Sequence, residues 1–186
     1  EKAFYYARYP LPWSGLVGFN PSYGSEQFTD NHFHYGYLAM SVALVGMHDP
    51  VWLAKYGPPA REVVKQYGEW ERGSKHYPRL RTFECWAGHS YAGGMSSGYD
   101  GNNQESSSEA VGSWAGMFFL GAAMNDPDML ATGAMGYAIE TEAVHEYWNN
   151  AYGWKNPDQS NWSQNYKPTI CSVMRDRDMG AWTWFS

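Results

Sequence analysis

The sequence is poor in charge, in cysteine and in long apolar runs, and each shortage excludes a class of protein. Only 17% of its 186 residues are charged, and 13 basic against 19 acidic residues give a net charge of −6. A nucleic-acid or anionic-membrane binder needs a basic surface to gather phosphates, so neither partner is expected. No apolar run reaches the roughly 18–20 residues of a membrane span. Two cysteines, Cys85 and Cys171, are too few for a disulfide-stapled miniprotein. A bridge between them and a pair of buried thiols both stay open at this level. No segment repeats at a fixed period. Neither an initiator Met nor an apolar leader precedes Glu1-Lys2-Ala3, so the expectation is a chain that begins inside a longer protein.

Aromatic residues are abundant instead: 10 Trp, 15 Tyr and 8 Phe make up 18% of the chain. That density excludes a disordered segment. Residues 1–29 carry Pro10, Pro12, Gly15, Gly18, Pro21 and Gly24, which punctuate the chain without helical periodicity. From His32 to Met47 the set Phe33, Tyr37, Met40, Ala43, Leu44 and Met47 recurs at helical spacing. His48-Asp49-Pro50 ends that helix, because a residue before proline leaves the helical region. Val51 to Tyr56 then reads as a turn and Pro58-Pro59 as the start of a second helix through Tyr67. Glycine-rich residues 71–104 read as a loop, and a loop that long is usually functional. A third helix is expected from Ser106 to Met124, with Val111, Trp114, Ala115, Phe118 and Leu120 as its apolar set. Asn125-Asp126-Pro127 breaks it. Asp128 would cap a fourth helix, Met129 to Trp148, with Ala131, Met135, Ile139 and Val144 facing inward. Thr169–Val173 and Ala181–Phe185 could pair as a hairpin across residues 175–178.

Three stretches carry chemistry. In Gly101-Asn102-Asn103-Gln104-Glu105-Ser106-Ser107-Ser108-Glu109-Ala110, two carboxylates four residues apart precede an apolar helix. The ordinary structural reading is a capping box, Ser106 and Glu109 each satisfying an orphan backbone N–H, with Glu105 favoured by the helix dipole. Three serines and three flanking amides exceed what a cap requires and suit a hydroxyl-rich ligand. In Thr29-Asp30-Asn31-His32-Phe33-His34-Tyr35-Gly36-Tyr37, Asp30 fits a plain N-cap. Its two histidines lack metal-site spacing, so no metal is expected. Aromatics interleaved with His and Asp suit a sugar platform. In Ala87-Gly88-His89-Ser90 the nucleophile-elbow pattern is absent, which disfavours a serine hydrolase.

In order and spacing, residues 20–150 resemble glycoside hydrolase family 81, the endo-β-1,3-glucanases. The resemblance rests most firmly on Asn103 to Ala110, then on Asp30 to Tyr37 and Ala87 to Ser90. Asp49-Pro50-Val51-Trp52, Glu142 and Tyr147-Trp148 fall in the same order. Thr29 and Asn31 stand where the family usually has Asn and His, Glu84 stands near a usual Asp, and Tyr91 replaces a usual Trp. The resemblance implies a β-sandwich, a smaller α/β domain and an (α/α)6 barrel. Twelve helices of ~11–12 residues with ~5-residue links already need about 200 residues. The expected fold is therefore mainly α: part of an (α/α)6 barrel with long aromatic-rich loops and a short C-terminal β-hairpin. Residues 1–186 would be a partial catalytic barrel, the sandwich and the rest of the barrel lying outside this chain.

The implied reaction is inverting endo-hydrolysis of β-1,3-glucosidic bonds in laminarin- or curdlan-type glucans. By resemblance Asp30 is the general acid and Glu105 the base, with Glu109 the alternative base or the group that tunes Glu105. Two glutamates this close repel when both ionise, which raises at least one pKa. They are also too near in sequence to flank a sugar from opposite sides. His34, Tyr37, Trp86, His89, Asn103 and Gln104 would bind substrate. No cofactor is needed, and a secreted protein, monomeric when whole, is implied. Two rivals use the same residues differently. A non-catalytic glucan-binding protein would stack sugar on the same aromatics without turnover. A polysaccharide lyase would want basic residues for uronates, which the acidic balance disfavours.

Overall fold

A computed structural model describes residues 4–8, 14–18, 23–94, 101–175 and 179–180. Within these residues the protein is mainly helical with three small antiparallel sheets. The first sheet pairs β1 (Phe4–Arg8) with β2 (Ser14–Gly18), so the leading segment holds a hairpin that periodicity alone did not reveal. Four long helices follow: α1 (Asn31–His48), α2 (Pro50–Gly68), α3 (Ser107–Met124) and α4 (Pro127–Ala143). A single π-helical stretch, Val144–Trp148, extends α4, and the short α5 spans Ala151–Lys155.

Asp-Pro pairs both end and begin helices here. Asp49 accepts a hydrogen bond from the Trp52 amide at 2.9 Å, with Pro50 at the first helical position. Asp126 accepts from the Met129 amide at 3.0 Å, with Pro127 following. Each aspartate satisfies an orphan donor, and each proline sits where no N–H is needed. Two expectations are corrected by this. The cap of α4 is Asp126, not Asp128. The stretch Val51–Tyr56 is the first half of α2 rather than a turn. Pro58 and Pro59 lie inside α2 on its exposed side, where water replaces the hydrogen bonds they cannot donate.

The helices form two antiparallel hairpins, α1/α2 and α3/α4, laid side by side. Where α1 meets α3 the chains run parallel: a Cβ on Gly36 would lie 2.6 Å from Ser113 Cα, and one on Gly116 would lie 2.6 Å from the Gly36 carbonyl oxygen. The backbones touch there, and only glycine allows it. Along α3/α4 the inward stripe of α4 is Met129, Gly133, Gly136, Glu140 and Ala143, not the predicted Ala131, Met135, Ile139 and Val144. Met135 and Ile139 are exposed, because the closest approach to α3 is made by glycines whose lack of a side chain hides the face from hydrophobic periodicity. On α1, Tyr37, Leu44 and Met47 are likewise exposed, while Tyr35, Ala39 and Val42 join the core. That core gathers Val63, Val64, Tyr67, Phe83, Trp114, Met117 and Leu120 from α2, α3 and the loop between them.

The long loop carries the second sheet, β3 (Phe83–Glu84) with β4 (His89–Ser90). The third sheet joins β5 (Asn103–Gln104) to β6 (Val173–Arg175), and β6 to β7 (Met179–Gly180). A C-terminal hairpin is thus present, with its partners shifted from the predicted register; Ala181–Phe185 lie outside the described residues. A second cluster, Trp148, Trp162 and Cys171, packs beneath it. Cys171 is a buried thiol and Cys85 an exposed one, and they are not bridged.

Candidate active site

The N-termini of α1 and α3 lie at one end of the parallel pair, and each carries an acidic group that its helix does not use. Asp30 occupies the N-cap position of α1 in a left-handed conformation, φ 55°, and its side chain makes no cap hydrogen bond. Ser106 at the start of α3 makes none either, so the predicted capping box is not formed. Glu109, in the first turn of α3, instead faces Tyr37 of α1 across a shared cavity. The carboxyl groups that helix capping would have consumed are left free for other chemistry.

The Asp30 turn is built for rigidity. Phe28 and Asp30 both have positive φ, which costs about 1–3 kcal/mol each and persists only where the surroundings impose it. Here they do. The Asn31 amide donates to the Ser25 and Thr29 carbonyls at 3.3 and 3.2 Å. Arg81 donates to Asn31 Oδ1 and the Gln66 carbonyl, both at 2.8 Å, and packs its guanidinium over the Phe28 ring. Burial lowers the Arg81 pKa only to about 10, so it stays charged. Gly94 crosses so close that a Cβ there would fall 2.3 Å from the Gln27 carbonyl oxygen.

One residue of the loop links this turn to the Glu105 segment. The Asp30 amide donates to the Ala92 carbonyl at 2.9 Å, and the Ala92 amide donates to the Asn103 carbonyl at 2.7 Å. Glu105 follows β5 directly, half-buried between the buried Gln104 and Ser106. The Asn103 side chain donates to Glu105 Oε2 at 3.4 Å.

Three carboxyl groups therefore share one electrostatic neighbourhood. Burial, then the charges of Glu105 and Glu109, push Asp30 up to about 7. Burial, then Glu109, also raises Glu105. A carboxyl group whose pKa is raised to about 7, set beside two further carboxyl groups, is the kind of acid that acid–base chemistry near neutral pH uses.

The remaining predicted residues separate by exposure. Tyr37 is 60% exposed and Trp86 95% exposed. With Glu109, Tyr37 lines a cavity of about 230 Å³ between α1 and α3 that also touches Phe33, Met40, Ser108 and Gly112. His34 is half-buried, its Nδ1 in a 3.3 Å hydrogen bond with Ser25 Oγ. His89 is 4% exposed; its Nδ1 bonds the Ser90 carbonyl and its ring packs on Tyr91, Tyr147 and Trp148. Gln104 is fully buried. Both side chains are buried within the fold, whereas Tyr37 and Trp86 face outward.

Behind Gln104 lies a residue that sequence reading did not single out. Glu140 is fully buried and accepts from the Ser90 amide (2.8 Å), Ser90 Oγ (2.6 Å), Gln104 Nε2 (3.1 Å) and Trp114 Nε1 (2.6 Å). Burial raises its pKa, and the Ser90 and Trp114 donors work against the rise. The stripe Gly133, Gly136, Glu140 on one face of α4 was its only sequence signal. Among the described residues no group of three or more His, Cys, Asp or Glu is placed to hold a metal ion. No described helix is long and apolar enough to cross a membrane.

Comparison with known proteins gives a consistent assignment. Residues 8–186 match the model of the glycosyl hydrolase family 81 C-terminal domain. A glucan endo-1,3-beta-D-glucosidase from Acetivibrio thermocellus is 37% identical over 172 residues, covering 91% of this chain and 22% of that protein. Another from Thermobifida fusca is 35% identical, covering 78% of this chain and 20% of the relative. The solved structure of CtLam81A, a family 81 glycoside hydrolase from Clostridium thermocellum in a glutamate-to-alanine mutant form, superposes with a TM-score of 0.84. It shares 32% identity and covers 92% of this chain and 24% of that one. The chain thus spans about a quarter or less of the length of the relatives it matches.

Proposed function

This chain belongs to glycoside hydrolase family 81, and from that premise we propose that it contributes the acid–base centre of an endo-β-1,3-glucanase. Asp30 is the general acid. It gives its proton to the glycosidic oxygen as the bond to the anomeric carbon breaks. Glu105 is the base: it takes a proton from a water that attacks the anomeric carbon from the opposite face, so the configuration inverts. Such a pair needs its carboxyl groups about 6.5–9.5 Å apart to admit the water. Glu109 adds to the raised pKa of Asp30 and tunes Glu105, and is itself the alternative base. Asn103 orients Glu105. Tyr37, Trp86 and His34 line the sugar path, while His89 and Gln104 act from behind it. The two hairpins with their parallel inner helices are a section of the (α/α)6 barrel, and residues 1–186 a part of that catalytic domain. The whole protein is a secreted monomer.

One observation supports this reading above the others. Asp30 and Glu109 open two helices without capping them, and Asp30 is held near pKa 7 by burial and by both glutamates. A protein that only bound glucan would have no use for a protonated carboxyl beside two more. The test is reducing-sugar release from laminarin by the whole protein carrying this chain. Asp30→Asn and Glu105→Gln should each abolish release with glucan binding retained, and azide should restore the Glu105→Gln variant. A β-configured first product by NMR would overturn inversion. Full activity of Asp30→Asn would overturn the acid assignment. Loss in Glu109→Gln with retention in Glu105→Gln would move the base to Glu109.

A further inference from the structure

A cavity of about 800 Å³ opens in the segment that follows α4, and it shares no lining residue with the cavity of Tyr37 and Glu109. Its volume falls within the roughly 300–1,000 Å³ of small-molecule sites. Three aromatic residues shape it: Trp154 on α5, then Trp162 and Tyr166. Each ties its polar end to a main-chain carbonyl. Trp154 Nε1 donates to Asn149 at 2.9 Å, Trp162 Nε1 to Tyr147 at 2.7 Å, and the Tyr166 hydroxyl to Ile170 at 3.0 Å. Trp162 and Tyr166 also meet edge to face, their ring centres 4.9 Å apart. Rings fixed in this way lose little further freedom when a ligand lands on them. Trp162 is buried, but Trp154 is 61% exposed, so a held indole faces solvent. The polar lining is Asn150, Ser160, Ser163 and Gln164 with one acid, Asp158, and one base, Lys167. Those two charges cancel. Amides and hydroxyls around flat apolar rings suit a neutral, hydroxyl-rich ligand: its C–H face packs on the indole and its hydroxyls take the hydrogen bonds.

We propose that this cavity is an accessory binding site for neutral β-glucan, with Trp154 as its stacking surface. It holds one stretch of the polymer while another lies across Asp30 and Glu105. The chain leaving the cavity enters β6, which pairs with β5 directly ahead of Glu105, so a short sheet joins the two sites. A glucan gripped at one of them meets the other as an intramolecular partner at raised effective concentration. The inference rests on the β-glucan reading of the acid–base centre.

The test uses the whole protein carrying this chain, labelled with fluorotryptophan. The fluorine NMR signal of Trp154 is the one that vanishes in Trp154→Phe. In Asp30→Asn protein, which leaves the ligand uncut, laminarihexaose should shift that signal to saturation. With Asp30 intact, Trp154→Ala should raise KM for laminarin on the order of tenfold with kcat within about twofold. Trp154→Tyr keeps a stacking face and should recover most of that loss. Gln164→Ala leaves every ring in place and should also raise KM. An unmoved fluorine signal overturns the proposal, as it would if another part of the whole protein covered the indole. So does a wild-type KM in both Trp154→Ala and Gln164→Ala, or a signal that answers an oligogalacturonide and not laminarihexaose. Sugar release with an unmoved signal removes the accessory site and leaves the acid–base reading standing. A saturating signal in a protein that has Asp30 and releases no sugar does the reverse.

Discussion

A Cβ added at Gly136 would fall 2.2 Å from Trp114 Cδ2 and 2.5 Å from Cε3, inside the indole ring of a fully buried tryptophan. Trp114 cannot retreat freely, because its Nε1 donates to Glu140 at 2.6 Å and its ring packs against Phe83 and Tyr67. In Gly136→Ala the overpacking costs about 1–3 kcal/mol, and losing a hydrogen bond to a buried carboxylate costs about 1.5–3 kcal/mol. Alanine's helix propensity returns about 1 kcal/mol. The net expectation is about 2–5 kcal/mol of destabilisation, on the order of 10 °C in melting midpoint for a domain of this size. Gly112 on α3 is the control: a Cβ there meets nothing within 4 Å, so Gly112→Ala should stabilise by about 0.5–1 kcal/mol. Both variants are compared by thermal midpoint and by hydrogen exchange of α3 and α4 peptides. Equal behaviour of the two would refute the close-packed glycine stripe, since propensity alone treats them alike.

Further outcomes follow from the charges and the exposed faces. The kcat/KM of the whole protein should fall as pH rises through about 7, where Asp30 loses its proton. Glu109→Gln should move that limb to lower pH by less than the full displacement from 3.8, because burial is the larger cause; an alkaline shift would contradict it. The same raised carboxyl makes the folded state hold its proton more tightly than the unfolded chain. Stability attributable to Asp30 is thus complete below about pH 4 and lost by about pH 7, so Asp30→Asn should melt higher than wild type at pH 8 and alike at pH 3. Laminarin affinity should change little between low and moderate salt, because a neutral sugar releases no counterions; a steep loss would point to a charged ligand. The 186-residue chain alone exposes Leu44, Met47, Val51, Met135, Tyr137 and Ile139, an unpartnered apolar surface. It should self-associate, and a soluble monomer with a cooperative melt would refute that.

Helix boundaries were the most legible feature of the sequence. The starts and ends of α1 and α3 fall within a residue or two of where Asp, Asn and Pro place them, because those residues act on the backbone locally. Legibility failed where the signal depended on a partner. Pro58-Pro59 reads as a helix start, yet α2 runs through it because its orphaned carbonyls face water. The inner face of α4 contains glycines because α3 lies against it, a fact no window along α4 can contain. The hairpin β1/β2 and the pairing of β5 with β6 join residues whose proximity is set by the whole fold. For the candidate site, Asp30, Glu105 and Glu109 stand out in the sequence as a motif, and the structure brings their carboxyl groups into one electrostatic neighbourhood. The burial of His89 and Gln104 and the role of Glu140 were not legible in the sequence, since each depends on what packs over it.

The polar interior has a physical connection to the acid at the surface. Burial is the largest cause of Asp30's raised pKa, so the turn carrying Asp30 must keep water from part of the carboxyl. A dry left-handed turn cannot satisfy its own backbone groups as a helix does, and each buried orphan costs about 1–3 kcal/mol. Asn31 and Arg81 supply the missing partners at Ser25, Thr29 and Phe28. The Arg81 charge itself has no carboxylate partner among the described residues and is borne by carbonyl, amide and ring contacts. An ion pair there would bring a fourth acid close to Asp30, and that acid would compete with Glu105 and Glu109 in setting its proton affinity. Neutral partners hold the turn in shape, and burial together with Glu105 and Glu109 then sets the proton affinity of Asp30. A buried arginine clamped on neutral acceptors, rather than on a carboxylate, is therefore what a rigid turn with a protonated aspartate requires.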